Sequence, residues 1–181
     1  MTTPANEHEL KATLKEDVFY PNHPPRKESA TFRKTKRVMK ADGSYTCAVC
    51  GATEQIEDHH RFFEWAYSDA IDWDWIKGVA TNQTDTMWSH TLERVVPIPK
   101  CHLVWDLIRL TQDFDWSAFD TSKPELFVDS PHNMWPLCEL HHRAAIHGVH
   151  AESYPIWNVQ AFLKRGFIYS PDELKARHGN P

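Results

Sequence analysis

The sequence predicts an α+β protein in which two distant segments are held together by a structural zinc ion. Short strand-like runs around a turn are expected between residues 32 and 60. An apolar pattern with helical spacing follows over 61–79 and ends near Gly78. Pairs of cysteine and histidine residues lie on both sides of this helix, and they are the basis for expecting the zinc ion.

Length and composition favour one folded domain without a membrane anchor. The chain has 181 residues, 41% of them hydrophobic, and eight are tryptophan, which is enough for a substantial core. No apolar run approaches the roughly 20 residues that span a bilayer. The polar start of the chain also lacks the apolar segment of a secretory signal. We therefore expect a soluble protein of the cytosol.

The spacing of cysteine and histidine residues predicts a four-coordinate zinc site. Zinc binds nitrogen and sulfur donors in a tetrahedron, and short-range pairs usually supply them. Cys47 and Cys50 form one C-x-x-C pair, and Cys138 and His141 have the same spacing. Cys101 is the competing donor, but it has no partner in that register. In a reducing compartment this pattern favours a metal site over a structural disulfide.

Further histidines suggest a second metal site. They fall in two segments of the chain: His59 and His60, and His142, His147 and His150. Adjacent side chains on an extended segment point to opposite sides, so one of a pair can ligate a metal while the other faces a substrate. A metal with an uncommitted imidazole beside it suits phosphodiester hydrolysis. The metal stabilises charge on the phosphate, and the imidazole takes a proton from water.

These elements, taken in order, resemble the HNH endonucleases of the zinc-containing, ββα-metal type. The matching runs are CAVC, EDHH, HNMWPLCELHH and IHGVH, and the later HAESYPIW and QAFLKRGF are similar to the tails of phage-encoded members. The resemblance implies a ββα-metal core stapled by zinc, in a domain over 32–181 that follows an N-terminal arm, residues 1–31. Residues 61–130 then form a helical, Trp-rich insertion. C-terminal helices are expected from Pro155 and from Ser170, and the similar tails imply a phage-encoded protein of the bacterial cytosol.

The resemblance implies a role for each matching residue. His60 corresponds to the general base that activates water, and such a base is expected to be accessible to solvent. Asn133 corresponds to the residue that holds the base or its loop in place. His59 and His142 correspond to ligands of a catalytic divalent cation, Mg²⁺, Mn²⁺, Ni²⁺ or Zn²⁺. Two carboxylates could support the metal histidines or remain exposed in a loop: Glu57 and Asp58.

The last ligand of the catalytic cation has two candidates. The family places this histidine four residues after the position of His142, where this chain has Ile146. A step of five residues turns a side chain about 140° away on a regular helix, so His147 can share the cation only if the helix bulges or ends there. Gly148 makes such an end plausible. The sequence favours His147 and leaves His150 as the alternative.

A basic stretch predicts contact with the phosphates of DNA. Residues 26–40 carry seven basic side chains and one acid, although the formal net charge of the chain is −5. The residues expected to lie along the phosphate backbone are Arg33, Lys34, Lys36, Arg37 and Lys40. A solvated run of charge is the alternative interpretation.

Two functions follow as hypotheses. The leading one is a metal-dependent DNA endonuclease with a histidine general base. The alternative is a zinc-stapled HNH-like protein without catalysis, serving phage assembly or host targeting. The misplaced His147, the net acidity and the large insertion favour this alternative. The tryptophans of the insertion are interpreted as a hydrophobic core, the alternative being a surface for bases or a protein partner.

Overall fold

The computed structural model describes residues 27–143, 148–151 and 160–165, and its mixture of helices with two small antiparallel sheets confirms the predicted α+β class. The helices are α1 (Ala30–Ala41), α2 (Trp73–Ala80), α3 (Leu103–Leu110), α4 (Glu125–Val128) and α5 (Glu139–Arg143). The strands are β1 (Ile56–His60), β2 (Thr86–Ser89), β3 (Arg94–Pro97) and β4 (Met134–Cys138). Single 3₁₀ turns occur at Trp65–Tyr67, Pro131–Asn133, Val149–Ala151 and Gln160–Phe162.

The sheet that positions the site joins strands that are far apart in the chain. β1 and β4 pair antiparallel, with Ile56 opposite Cys138 and His60 opposite Met134. The amide of Arg61 donates to the carbonyl of Asn133 at 2.7 Å, which extends the pairing past the end of β1. α5 begins at the residue after β4. The sheet therefore brings the histidine pair of β1 next to the histidines of α5.

α1 corrects the expectation of short strands from residue 32. Ser29 caps the helix, because its Oγ accepts from the amide of Phe32 at 2.9 Å. The buried residues Phe32, Thr35 and Met39 follow one another at helical spacing, a pattern that the intervening basic side chains obscured. The helix starts at Ala30 and so crosses the expected boundary between arm and domain.

The insertion contains the main hydrophobic core. Phe63, Ile76 and Phe127 are completely buried within it. Phe162, from the described segment 160–165, packs into the same core. Trp105 is 38% exposed, but Trp73 and Trp116 are buried in the same core, and for these two the interpretation as packing residues is confirmed. Their indole N–H groups find acceptors, at 2.7 Å on the carbonyl of Ser68 for Trp73 and at 3.2 Å on the hydroxyl of Thr111 for Trp116.

The elements of the insertion differ in part from the predicted ones. The expected helix over 61–79 is shorter, because α2 starts only at Trp73, after Asp72 accepts from the amide of Trp75 as its N-cap. The helix ends at Ala80, close to Gly78, where its end is expected. The insertion was expected to be helical, but it also contains the antiparallel pair of β2 and β3.

The segment near the C-terminus is described only in part. Pro155 and Ser170, where helices were expected to start, lie outside the described residues. Within 160–165, the 3₁₀ turn precedes Leu163, which forms a bridge with Ile71. Among the helices of the described residues, none has the length and apolar character needed to cross a membrane.

Candidate metal centres

The first centre is a group of three cysteines and one histidine. It consists of Cys47, Cys50, Cys138 and His141, whose donor atoms all lie within 4.8 Å of one another. His141 Nδ1 is 3.5 Å from Cys47 Sγ and 3.2 Å from Cys138 Sγ, and the Sγ atoms of Cys50 and Cys138 are 3.8 Å apart. Donors that share one tetrahedral zinc ion are separated by about 3.3–3.8 Å. The four side chains therefore fit a metal ion such as zinc.

Backbone hydrogen bonds hold the cysteine pair of this centre against the sheet. The amide of Ala48 donates to the carbonyl of Pro136 in β4 at 2.8 Å. Gly51 closes the turn after the pair with a left-handed φ of 73°, which glycine adopts without strain. Burial acts to raise the pKa of Cys47, but backbone hydrogen bonds around the site outweigh it and lower the pKa to about 6. This thiol is therefore inclined to become the thiolate that binds metal.

The competing donor lies elsewhere. Cys101 is exposed and does not belong to the group of four. Its neighbour His102 caps α3, because Nδ1 accepts from the amide of Val104 at 3.2 Å. The structure therefore places Cys138, and not Cys101, with the other three donors, as the sequence spacing predicts.

The second centre is a group of three histidines beside the first. His59, His142 and His150 each direct a ring nitrogen into a volume in which all three donors lie within 4.8 Å of one another. The Nε2 atoms of His142 and His150 are 3.0 Å apart. His147, which the sequence favours as the last ligand, lies outside the described residues. His150, the alternative, is the histidine that the structure brings into the group.

His59 has the properties expected of a metal ligand. Its ring is 4% exposed, and Nε2 has no hydrogen-bond partner among the described residues. Burial lowers the pKa of His59 to about 4, against the opposing effect of the Glu64 carboxylate. Burial also lowers the pKa of His150. Both rings are therefore neutral near pH 7, the state in which imidazole binds metal.

Glu57 orients the second histidine of this centre. Its Oε2 accepts a hydrogen bond from His142 Nδ1, and its Oε1 is 2.6 Å from Arg143 Nη2. A carboxylate on one ring nitrogen fixes the tautomer and directs the other nitrogen to the metal. Asp58 does not share this role. It points to the opposite face of the sheet, where its side chain is fully buried and Oδ2 is 3.5 Å from Lys36 Nζ.

The position of His60 contradicts the expectation that its ring is open to solvent. The residue is only 3% exposed. Its Nε2 is 3.2 Å from Asp129 Oδ1, and its Nδ1 is 3.5 Å from Glu64 Oε2. The ring of His60 lies on the face of the sheet opposite His59. That face is covered by α1 and its N-cap, where Thr35 and Ser29 form hydrogen bonds with Asp129. The expected exposure is wrong because a helix was not anticipated there.

Asn133 fixes the backbone between the two strands. Its Oδ1 accepts from the amides of Phe62 at 2.8 Å and Phe63 at 3.1 Å. Its Nδ2 donates to the carbonyls of Phe63 at 2.9 Å and Val128 at 2.8 Å. The residue is fully buried. It therefore contacts the loop that leaves β1, and neither ring of the histidine pair is among these four partners.

Glu64 lies near both histidines of β1, although no sequence motif singles it out. Its Oε1 is 3.9 Å from His59 Nε2, and its Oε2 is the oxygen that faces His60. Burial acts to raise the pKa of Glu64, but the hydrogen bond with His60 and the charges of nearby histidines lower it overall. Glu64 lies four residues after His60, a spacing that brings two side chains together on a helix. Because this segment is not helical, the spacing does not predict the contact.

The basic residues of α1 divide between two roles. Arg33, Lys34, Arg37 and Lys40 are exposed, whereas Lys36 is half-buried beside Asp58. Lys40 also lies over the ring of Tyr45, with Nζ 4.9 Å from its centre. Contact of this helix with DNA stays a prediction.

Comparison with known proteins gives no relative for this arrangement. No family model, curated protein or solved structure matches the chain. The chemistry of the two centres therefore has to be inferred from their own geometry.

Proposed function

We propose that this protein is a metal-dependent endonuclease of the HNH type, which hydrolyses phosphodiester bonds in DNA. The observation that carries the proposal is the difference between the two centres. One offers four cysteine and histidine donors, and the other offers three histidines. Structural zinc sites are closed by four protein ligands, whereas catalytic sites keep positions open for water or substrate.

The arrangement of the chain around the centres supports the same proposal. Two antiparallel strands, the second followed directly by a short helix, carry part of each donor set, an order that a ββα-metal core would have. The remaining donors are Cys47 and Cys50, which precede β1, and His150, which follows α5. Zinc at the first centre would hold the C-x-x-C turn to β4 and α5. A divalent cation at the second would supply positive charge against the charge that develops on the phosphate. His59, His142 and His150 are the residues that would hold this cation.

The distribution of charge supports a substrate with a phosphate backbone. The exposed basic side chains of α1 offer a row of cations on a chain of net charge −5. Such a local stripe can bind phosphates without a generally basic surface. Contacts of this kind position DNA and do not select its sequence. The proposed enzyme would therefore bind the backbone through α1.

A plasmid-nicking assay tests the proposal. Zinc-loaded protein is expected to nick supercoiled DNA with at least one of Mg²⁺, Mn²⁺, Ni²⁺ or Zn²⁺. His59→Ala removes a ligand of the second centre, so we expect a loss of rate of about 100-fold or more. His60→Ala is expected to lower the rate by about 10²–10⁴-fold if the ring takes the proton from water. His90→Ala changes a histidine outside both centres and should leave the rate unchanged.

The burial of His60 favours a second candidate function. A ring that is 3% exposed and contacts two carboxylates does not meet bulk water. A zinc-stapled HNH-like protein without catalysis, which binds a partner or has a structural role, accounts for that arrangement directly. Folded, zinc-loaded protein that nicks DNA with none of the four cations would favour this candidate and reject the enzyme.

A further inference from the structure

We propose that Glu64 is a positioning residue of the second centre, which supplies negative charge to the bound cation through one carboxylate oxygen and contacts the ring of His60 through the other. This inference rests on the proposed function only in assuming that the three histidines hold a cation. It adds a residue of the insertion to a site otherwise built from the strands and from the residues at and beyond α5.

The geometry of Glu64 connects two rings that lie on opposite faces of the sheet. Oε1 is 3.9 Å from Nε2 of His59, the buried nitrogen that has no hydrogen-bond partner among the described residues. Oε2 is 3.5 Å from Nδ1 of His60. The side chain of Glu64 is 24% exposed, whereas that of His60 is 4% exposed. The carboxylate of Glu64 therefore contacts His60 with one oxygen and faces His59 of the second centre with the other.

The charge of Glu64 is available to a cation in a way that the charge of Glu57 is not. Glu57 is paired with Arg143 and contacts His142 through Nδ1, on the side of the ring away from Nε2. Across the described residues, no lysine or arginine forms an ion pair with Glu64, whose charged neighbours are histidines. Three neutral imidazoles leave the full charge of a divalent cation uncompensated. A half-buried carboxylate beside them stabilises that charge.

The backbone that carries Glu64 is fixed rather than loose. The two preceding residues, Phe62 and Phe63, donate their amides to Asn133. The residue itself precedes the 3₁₀ turn at Trp65–Tyr67, and its carbonyl accepts from the amide of Tyr67 at 3.0 Å. The insertion thus presents the carboxylate to the centre from a defined position.

Cation binding by the zinc-loaded protein tests this inference without reference to cleavage. Mn²⁺ binding is measured by electron paramagnetic resonance and Ni²⁺ binding by calorimetry. Glu64→Gln keeps the shape of the side chain and removes its charge, so we expect the affinity for both cations to fall about 10- to 100-fold. Glu64→Asp is expected to restore part of the loss. Glu54→Gln changes an exposed glutamate and should bind like the wild type.

The outcomes separate this inference from the proposed function. Wild-type affinity in Glu64→Gln overturns the role of Glu64, even if the wild-type protein cleaves DNA. Weaker binding in Glu64→Gln with recovery in Glu64→Asp supports it, even if the wild type cleaves nothing. An equal loss in both variants, together with a lower melting temperature, assigns Glu64 to folding and overturns the inference. A wild type that takes up no second cation overturns the centre itself, and the role of Glu64 with it.

Discussion

Replacing Cys138 by serine is expected to lower the melting temperature of the zinc-loaded protein by at least about 10 °C. Cys138 lies at the end of β4 and faces Cys50 at 3.8 Å and His141 at 3.2 Å, so its loss opens the four-donor centre. Structural zinc contributes on the order of 10 kcal/mol in small domains. In a chain of this size a loss of about 1 kcal/mol lowers the melting temperature by about 2–4 °C. Thermal unfolding followed by circular dichroism measures the change.

A matched cysteine provides the control for this substitution. Cys101 is exposed and lies outside the centre, so Cys101→Ser should melt within about 2 °C of the wild type. A strong chelator should lower the melting temperature of the wild type and have little further effect on Cys138→Ser. Equal melting of the two serine variants would show that these four side chains do not hold a stabilising ion.

Replacing Asn133 by alanine is expected to reduce the free energy of unfolding by about 3 kcal/mol or more. The side chain makes four hydrogen bonds with backbone groups, and the residue is fully buried. Each buried group that loses its partner costs about 1–3 kcal/mol. Urea denaturation of the zinc-loaded protein measures the loss.

The control for Asn133→Ala removes an amide from the surface. Gln83 is exposed, so Gln83→Ala should change the free energy of unfolding by less than about 0.5 kcal/mol. Asn133→Asp keeps the size of the side chain but replaces its two donated hydrogen bonds with a buried charge, and it should be as damaging as alanine. Wild-type stability in Asn133→Ala would contradict the role of this residue in fixing the loop.

The sequence predicted the donor groups better than their surroundings. Local spacing identified Cys47, Cys50, Cys138 and His141, because a turn and a strand-to-helix junction each present two donors at short range. It favoured His147 over His150, whereas the structure brings His150 into the second centre, because that choice depends on how the chain continues beyond α5. The short separation of Glu64 from the histidine pair could not reveal its role, since the loop conformation that directs it is set by Asn133, far away in the chain.

The burial of His60 is the clearest example of what local sequence does not contain. Its exposure depends on α1, and that helix was missed because charged residues separate its three buried positions. Thr35 and Ser29 of the helix region bond to Asp129, which in turn contacts His60. Such a contact joins residues about a hundred positions apart, so no window of sequence around the histidine pair reports it. The class of the fold was predictable, whereas the packing of α1 on the sheet was not.

Anomalous X-ray diffraction from crystals of the zinc-loaded protein, soaked with Mn²⁺, locates both ions in one experiment. We expect a zinc peak between Cys47, Cys50, Cys138 and His141, and a manganese peak between His59, His142 and His150. An absent zinc peak, or one found at Cys101, would contradict the prediction that a zinc ion joins the Cys47–Cys50 turn to Cys138 and His141. A zinc peak without a manganese peak would support the first centre and refute the second.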